Sequence, residues 1–150
     1  MFSLIITIIS IALVAALALA TLYFGGDAFN QGSAKASAAT VVNQAQQISG
    51  ANTLYFLDKQ VYGEVVNLTA DGKYLASAPN PGALEGGADP KPGYKVDTAT
   101  GAITLALASQ AVCDAINEQA GVVGPLSAPA ATSQFSCYTH TTNGLTFEFK

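Results

Sequence analysis

Few side chains in this 150-residue chain could carry covalent or acid–base chemistry. The single histidine, His140, adjoins a turn signal at Asn143-Gly144, and no partners at metal-ligand spacing are evident around it. Serines and threonines are plentiful, but no G-x-S-x-G elbow accompanies them, and a histidine in a turn is poorly placed to activate one. Asp114 and Glu118 stand four apart on a predicted helix, a spacing that reads as its solvated face rather than as an acid/base pair. Gly86-Gly87 lacks a phosphate-loop pattern and reads as loop punctuation. Asn67-Leu68-Thr69 matches a glycosylation sequon, a three-residue match frequent by chance. The residues therefore point away from an enzyme and call for no cofactor or metal.

Cys113 and Cys137 are the remaining reactive groups. If the chain is exported, an oxidising compartment follows and the two read as a disulfide; the other reading is two buried free thiols. A bridge would close a loop of about 25 residues, worth about 3 kcal/mol in the chain-entropy view. Net charge is −4, with six lysines and no arginine, so a nucleic-acid partner has no basic surface to use.

The elements that must position these groups begin with residues 1–24, MFSLIITIISIALVAALALATLYF, which carry no charged side chain. As a helix this stretch reaches about 36 Å, enough to cross a hydrocarbon core of about 30 Å. Ser3, Thr7 and Ser10 can turn their hydroxyls onto carbonyls one turn back. Ala18-Leu19-Ala20 resembles a signal-peptidase site, but no basic residue precedes the apolar run and the run is too long for a signal, so the segment is expected to stay on the mature chain. A plain membrane anchor usually has flanking basic residues, and the first here is Lys35.

Gly25-Gly26 follows, read either as a hinge or melted turn, or as a helix end with Asp27 capping the next helix. Ala34, Ala38, Val41, Val42, Ala45 and Ile48 then recur at helical spacing, predicting an amphipathic helix with a narrow small-residue stripe. Gly50 offers a stop, although residues 51–58 could add a turn or two. Residues 61–69 and 73–77 read as strands about the Asp71-Gly72 turn, and 78–93 as a Pro/Gly-rich loop. A hairpin is predicted from 94–97 and 102–107. A short helix, 109–120, follows, capped by Ser109, stopped by Gly121 and buried through Val112, Ile116 and Ala120. After another loop, 135–139 and 145–149 surround Asn143-Gly144, the strongest hairpin signal in the chain, with Leu145, Phe147 and Phe149 on one face. The expected class is α+β, a long N-terminal helix packed on a small antiparallel sheet, with domains at 1–24 and 25–150.

This pattern resembles the bacterial type IV pilins over nearly the whole chain. Residues 52–57 (NTLYFL) are similar to the end of the pilin helix. Leu68, Gly72-Lys73-Tyr74-Leu75 and Pro79 are similar to the stretch after it. Residues 111–117 (AVCDAIN), 135–138 (FSCY) and 147–150 (FEFK) are similar to the disulfide region and last strand. The helical stretch around the first cysteine is closer to the type IVb branch. The resemblance implies a structural subunit, anchored in the inner membrane, handled by pilus assembly machinery, and polymerised with copies of itself into an extracellular filament on a bacterial surface. Adhesion, motility, secretion and DNA uptake are the family's roles. It also implies N-terminal processing and methylation at Met1. The filament core would be Phe2, Leu4, Ile5, Ile6, Ile8, Ile9, Ile11, Leu13, Val14, Leu17 and Leu19, with Ala15, Ala16, Ala18 and Ala20 permitting close approach. One departure stands out: the family places a glutamate where this chain has Ile5. That points to a minor pilin or pseudopilin, or to a divergent major pilin. The expectation from a different class is a membrane-tethered monomeric binding or scaffold module.

Overall fold

The computed structural model describes residues 2–87, 92–124, 126–141 and 144–150, with the side chains of all of these except 24–28. Helix α1 spans Phe2–Lys59 and α2 spans Val65–Thr69. A 3₁₀ turn at Gly82–Leu84 precedes β1, Lys95–Val96, and β2, Ile103–Ala106. Helix α3, Gln110–Ala120, leads to β3, Phe135–His140, and β4, Gly144–Phe149. The chain divides into two compact units, the first ending at Ser33 and the second running from Ala34 to Lys150. The fold is α+β, as expected.

Backbone hydrogen bonding carries α1 through Gly25 and Gly26, so the hinge, melted turn or stop expected there is not seen in the monomer. Two glycines cost a helix about 1 kcal/mol each. A ladder already nucleated on both sides absorbs that cost, because propagation is cooperative. Gly50 lies inside the same helix. The helix ends past Lys59, where Gln60 adopts a left-handed φ of 59° and its N–H still reaches the carbonyl of Phe56 at 2.7 Å.

Within the second unit, the predicted stripe of Ala34, Ala38, Val41, Val42, Ala45 and Ile48 is buried throughout, and Ala51 extends it. It shares one core with Val96, Ile103, Leu105, Phe147 and Phe149 from the sheet, and with Val112, Cys113, Ala115 and Ile116 from α3. Small residues on α1 let the helix lie close to the sheet, and the larger aliphatics opposite fill the space. Tyr94 ties this packing down: its hydroxyl donates to Gln44 Oε1 at 2.8 Å. Burial, aided by the charge of Glu85, lifts that phenol well above its ordinary pKa.

The sheet is antiparallel with strand order β1-β2-β4-β3, so the last strand lies inside it. Phe147 faces Leu105 on one side and Cys137 on the other and is fully buried. Strand β3 is therefore an edge, and α3 covers it. Asn117 donates through Nδ2 to the Cys137 carbonyl at 2.8 Å and accepts the Cys137 N–H on Oδ1 at 2.8 Å. A side-chain amide thus substitutes for a neighbouring strand, and the Thr139 N–H finds the Leu126 carbonyl at 2.9 Å. Cys113 and Cys137 form a disulfide between the same two elements.

Three expectations need correction. Residues 61–69 are not a strand: the chain turns at Gly63, whose N–H donates to the buried Asn52 Oδ1 at 2.9 Å, and α2 follows. The helix drives Leu68 fully into the core while Val66 stays 71% exposed. The β-branched residues that suggested a strand were overridden by this tertiary demand. Residues 73–77 hold no strand either; the Gly72 turn forms, but the stretch makes only an isolated Leu75-to-Leu68 backbone bond of 3.1 Å. On α3, Ala120 is half-buried and Ala115, Cys113 and Asn117 join the inner face, while Ser109 makes no side-chain cap bond. Both hairpins form as predicted, with Gly144 at φ 70°; Asn143 lies outside the described residues.

Gly86 lies in a loop, as expected, and also belongs to a small backbone clasp. Its N–H donates to Ala106 at 2.9 Å, and a Cβ there would lie 2.4 Å from the Leu107 carbonyl oxygen. Gly86→Ala is therefore expected to cost about 1–3 kcal/mol in urea unfolding; an unchanged midpoint would refute the clasp. Replacing Cys113 and Cys137 together by alanine is expected to cost about 3 kcal/mol under non-reducing conditions. An unfolding midpoint equal to that of the native chain would show that the bridge contributes nothing.

Candidate functional site

The largest chemically unusual surface is the first unit. From Phe2 to Tyr23 the helix is predominantly apolar over 22 residues, and none of them is buried within the chain. Phe2 is 85% exposed, Leu13 58% and Leu19 70%. Leu4, Ile5, Ile6, Ile8, Ile9, Ile11, Val14 and Leu17, the remaining predicted core positions, are exposed with them. Soluble monomers rarely show a contiguous apolar area of more than a few hundred Å², so this helix is built to be covered.

Its polar groups are arranged to tolerate such cover. Thr7 donates to the Leu4 carbonyl at 2.8 Å, Ser10 to Ile6 at 2.8 Å and Thr21 to Ala18 at 2.9 Å. Beyond the first turn the backbone groups are satisfied by the helix itself, whereas Ser3, one residue into the helix, has no carbonyl a turn back and makes no such bond among the described residues. At 1.5 Å per residue the segment is about 33 Å long, and it is the one described stretch long and apolar enough to cross a membrane. The predicted processing site at Met1 lies outside the described residues.

The other sequence candidates do not assemble into a site. His140 is exposed on β3 and sits edge-on to Tyr138, with ring centroids 6.4 Å apart. Asp114 accepts from Gln110 Nε2 at 2.8 Å, whereas Glu118 pairs with Lys35 at 2.9 Å, so the two carboxylates serve different partners. Asn67 of the sequon is exposed on α2, and the Thr69 hydroxyl is turned onto the Val65 and Val66 carbonyls at 3.1 and 3.2 Å. Among the described residues no three His, Cys, Asp or Glu side chains converge on a metal position.

Two arrangements escaped the sequence. One is Asn117 of α3, whose amide bonds the backbone of the edge strand at Cys137. The other joins the end of α1 to the turn after α2: Asp58 Oδ2 accepts from Lys73 Nζ at 2.9 Å and from the Tyr74 hydroxyl. These bonds, with the lysine's charge, hold the Asp58 carboxyl below the usual carboxylate range, and the same contacts raise Lys73. Partners 15 and 16 residues apart in different elements leave no periodic signal to read.

No protein family, curated protein or solved structure matches this chain.

A depressed carboxylate pKa stabilises the fold fully above its unfolded value of about 3.9 and less as pH falls through the folded value. A raised lysine pKa acts oppositely, fully below about 10.4 and less as pH rises through its folded value. The stability difference between the native chain and Asp58→Asn is therefore expected to stay level from about pH 5 to 9. It should shrink in acid, as read by denaturant titrations. A difference that instead grows in acid would contradict the contact. For the apolar helix, Leu13→Lys is expected to weaken membrane retention by about 2.5–3.5 kcal/mol at mid-bilayer, measured by vesicle flotation. Unchanged flotation would show that the segment does not sit at that depth.

Proposed function

We propose that this chain is a filament subunit of the type IV pilus kind. Phe2–Tyr23 holds it in a membrane before assembly, and the same helix then packs against its copies in the fibre centre. One observation carries the reading: a bare apolar helix of 22 residues continues, without a break in its hydrogen bonding, into the helix whose inner stripe is the spine of the second unit's core. A plain anchor needs only the first part and a flexible joint. A subunit that polymerises through the helix uses both parts in one element.

Energetics favour the same reading. Each fully buried Leu, Ile or Val contributes about 1.5–3 kcal/mol, and eleven large aliphatic or aromatic side chains are exposed between Phe2 and Leu19. Transfer from lipid to a protein bundle is driven by packing, which Ala15, Ala16, Ala18 and Ala20 favour by permitting close approach. The partners are accordingly further copies of the chain, the inner membrane and the machinery that moves subunits out of it. The extracellular surface would be made by the second unit, whose disulfide suits an oxidising compartment. No step of this role needs a catalytic group or a cofactor.

Electron micrographs of sheared surface material from the source cell, labelled with antibody to residues 34–150, test the proposal. Thin fibres labelled along their length are expected, and their loss in the Leu13→Lys variant. Label confined to membrane vesicles, with the chain extracted as a monomer, would overturn the filament and leave a tethered module.

A further inference from the structure

The Asp58–Lys73–Tyr74 contact is also the wall of a cleft, and the cleft has properties that the filament role does not use. It lies between the last turns of α1 and the segment from α2 to the Gly72 turn, with a volume of about 310 Å³. That is the small end of the range for sites that take small molecules. Ala70 is its one apolar lining residue; every other lining side chain carries a hydrogen-bonding or charged group.

The charges balance, with Asp58 and Asp71 set against Lys59 and Lys73. A cleft of this kind offers an ion no net attraction, which argues against phosphate, a metal ion or an acidic peptide. Part of the lining is already committed: Asp58 Oδ2 accepts from both Lys73 and Tyr74, and Tyr55 and Tyr74 meet edge to face at 5.2 Å between centroids. Tyr55 is also backed by Gly63, where a Cβ would lie 3.0 Å from its ring. These contacts fix the walls. The side chains of Tyr55, Lys59, Asn67 and Asp71 make no hydrogen bond among the described residues, so a phenol, an ammonium, an amide and a carboxylate are left to face a ligand. Together they present donors and acceptors in mixed order around one small space.

The ligand class that matches is a small, uncharged molecule bearing several hydroxyls, each able to donate and accept. We infer that this cleft binds one residue of a neutral saccharide, with Asn67 and Asp71 as its main hydrogen-bonding groups. A second cavity of about 360 Å³ shares Asp58, Lys73 and Tyr74 and adds Leu54 and Leu57. Those leucines are 56% and 67% exposed and supply the apolar contact that a pyranose ring face takes. The two cavities share three lining residues, and the proposal places a neighbouring sugar unit in the second. The inference stands on the second unit alone and does not depend on filament formation.

The test uses the full chain in a phosphocholine detergent, because a maltoside detergent would itself carry sugar. Methyl glycosides of glucose, galactose, mannose and N-acetylglucosamine, and sodium phosphate as a charged control, are titrated while the Tyr55 and Tyr74 ring resonances are followed by NMR. Saturable shifts with at least one glycoside and none with phosphate are expected. Asn67→Ala and Asp71→Ala, both exposed and outside the core, should each weaken that binding at least tenfold, while His140→Ala leaves it unchanged. No saturable shift with any of the four glycosides would overturn the proposal. So would tighter binding of phosphate, or full binding by the Asn67→Ala/Asp71→Ala double variant with its unfolding midpoint preserved.

Discussion

The constraint on which the rest of the structure depends is that a 22-residue, predominantly apolar stretch of helix has no cover within its own chain. Hydrophobic burial scales with area, so a helix left bare over its whole circumference must find lipid or other helices. The sequence of Phe2–Tyr23 suits both environments. It is uncharged, its hydroxyls at Thr7, Ser10 and Thr21 are satisfied on the helix's own carbonyls, and small residues are spaced among the large ones. The helix does not end with the apolar run. The ladder runs on past Gly25 and Gly26 to Lys59, and from Ala34 onward its inner face belongs to the core of the second unit.

That second unit is held by complementary devices rather than by size. A narrow stripe of alanines and valines admits a close helix, and Phe147 fills the centre of the sheet. The edge strand β3 is closed by one asparagine side chain and by the disulfide beside it. Such an edge does not offer itself for strand addition. In a chain that already carries an uncovered apolar helix, that closes one of the sheet's two edges to association.

Much of this was legible in the sequence because it is periodic or local. The α1 stripe follows the 3.6-residue repeat, and both hairpins announce themselves through their turns. Gly121 closes α3 with the left-handed φ of 70° expected of a helix-terminating glycine. Where the reading failed, the deciding partner lay elsewhere in the fold. Val61, Val65, Val66 and Thr69 look like strand residues until Asn52 captures the Gly63 N–H and Leu68 is drawn into the core. Gly25 and Gly26 look like a break until the cooperativity of the flanking helix is counted. The roles of Asn117, Asp58 and Gly86 were not legible, because they lie in Cys137, Lys73 and Leu107, which only the folded chain brings to them. The candidate site is the converse case: an uninterrupted apolar run is visible without any fold, whereas what covers it is not.

The central claim is that copies of this helix cover one another. A photo-crosslinking residue placed at Leu13 in the otherwise intact chain, activated in assembled surface material, tests it most directly. The account predicts a ladder of covalent multimers whose cross-links map between Phe2 and Tyr23 of two copies. Adducts with lipid alone, at a position where the chain is fully exported and folded, would contradict it.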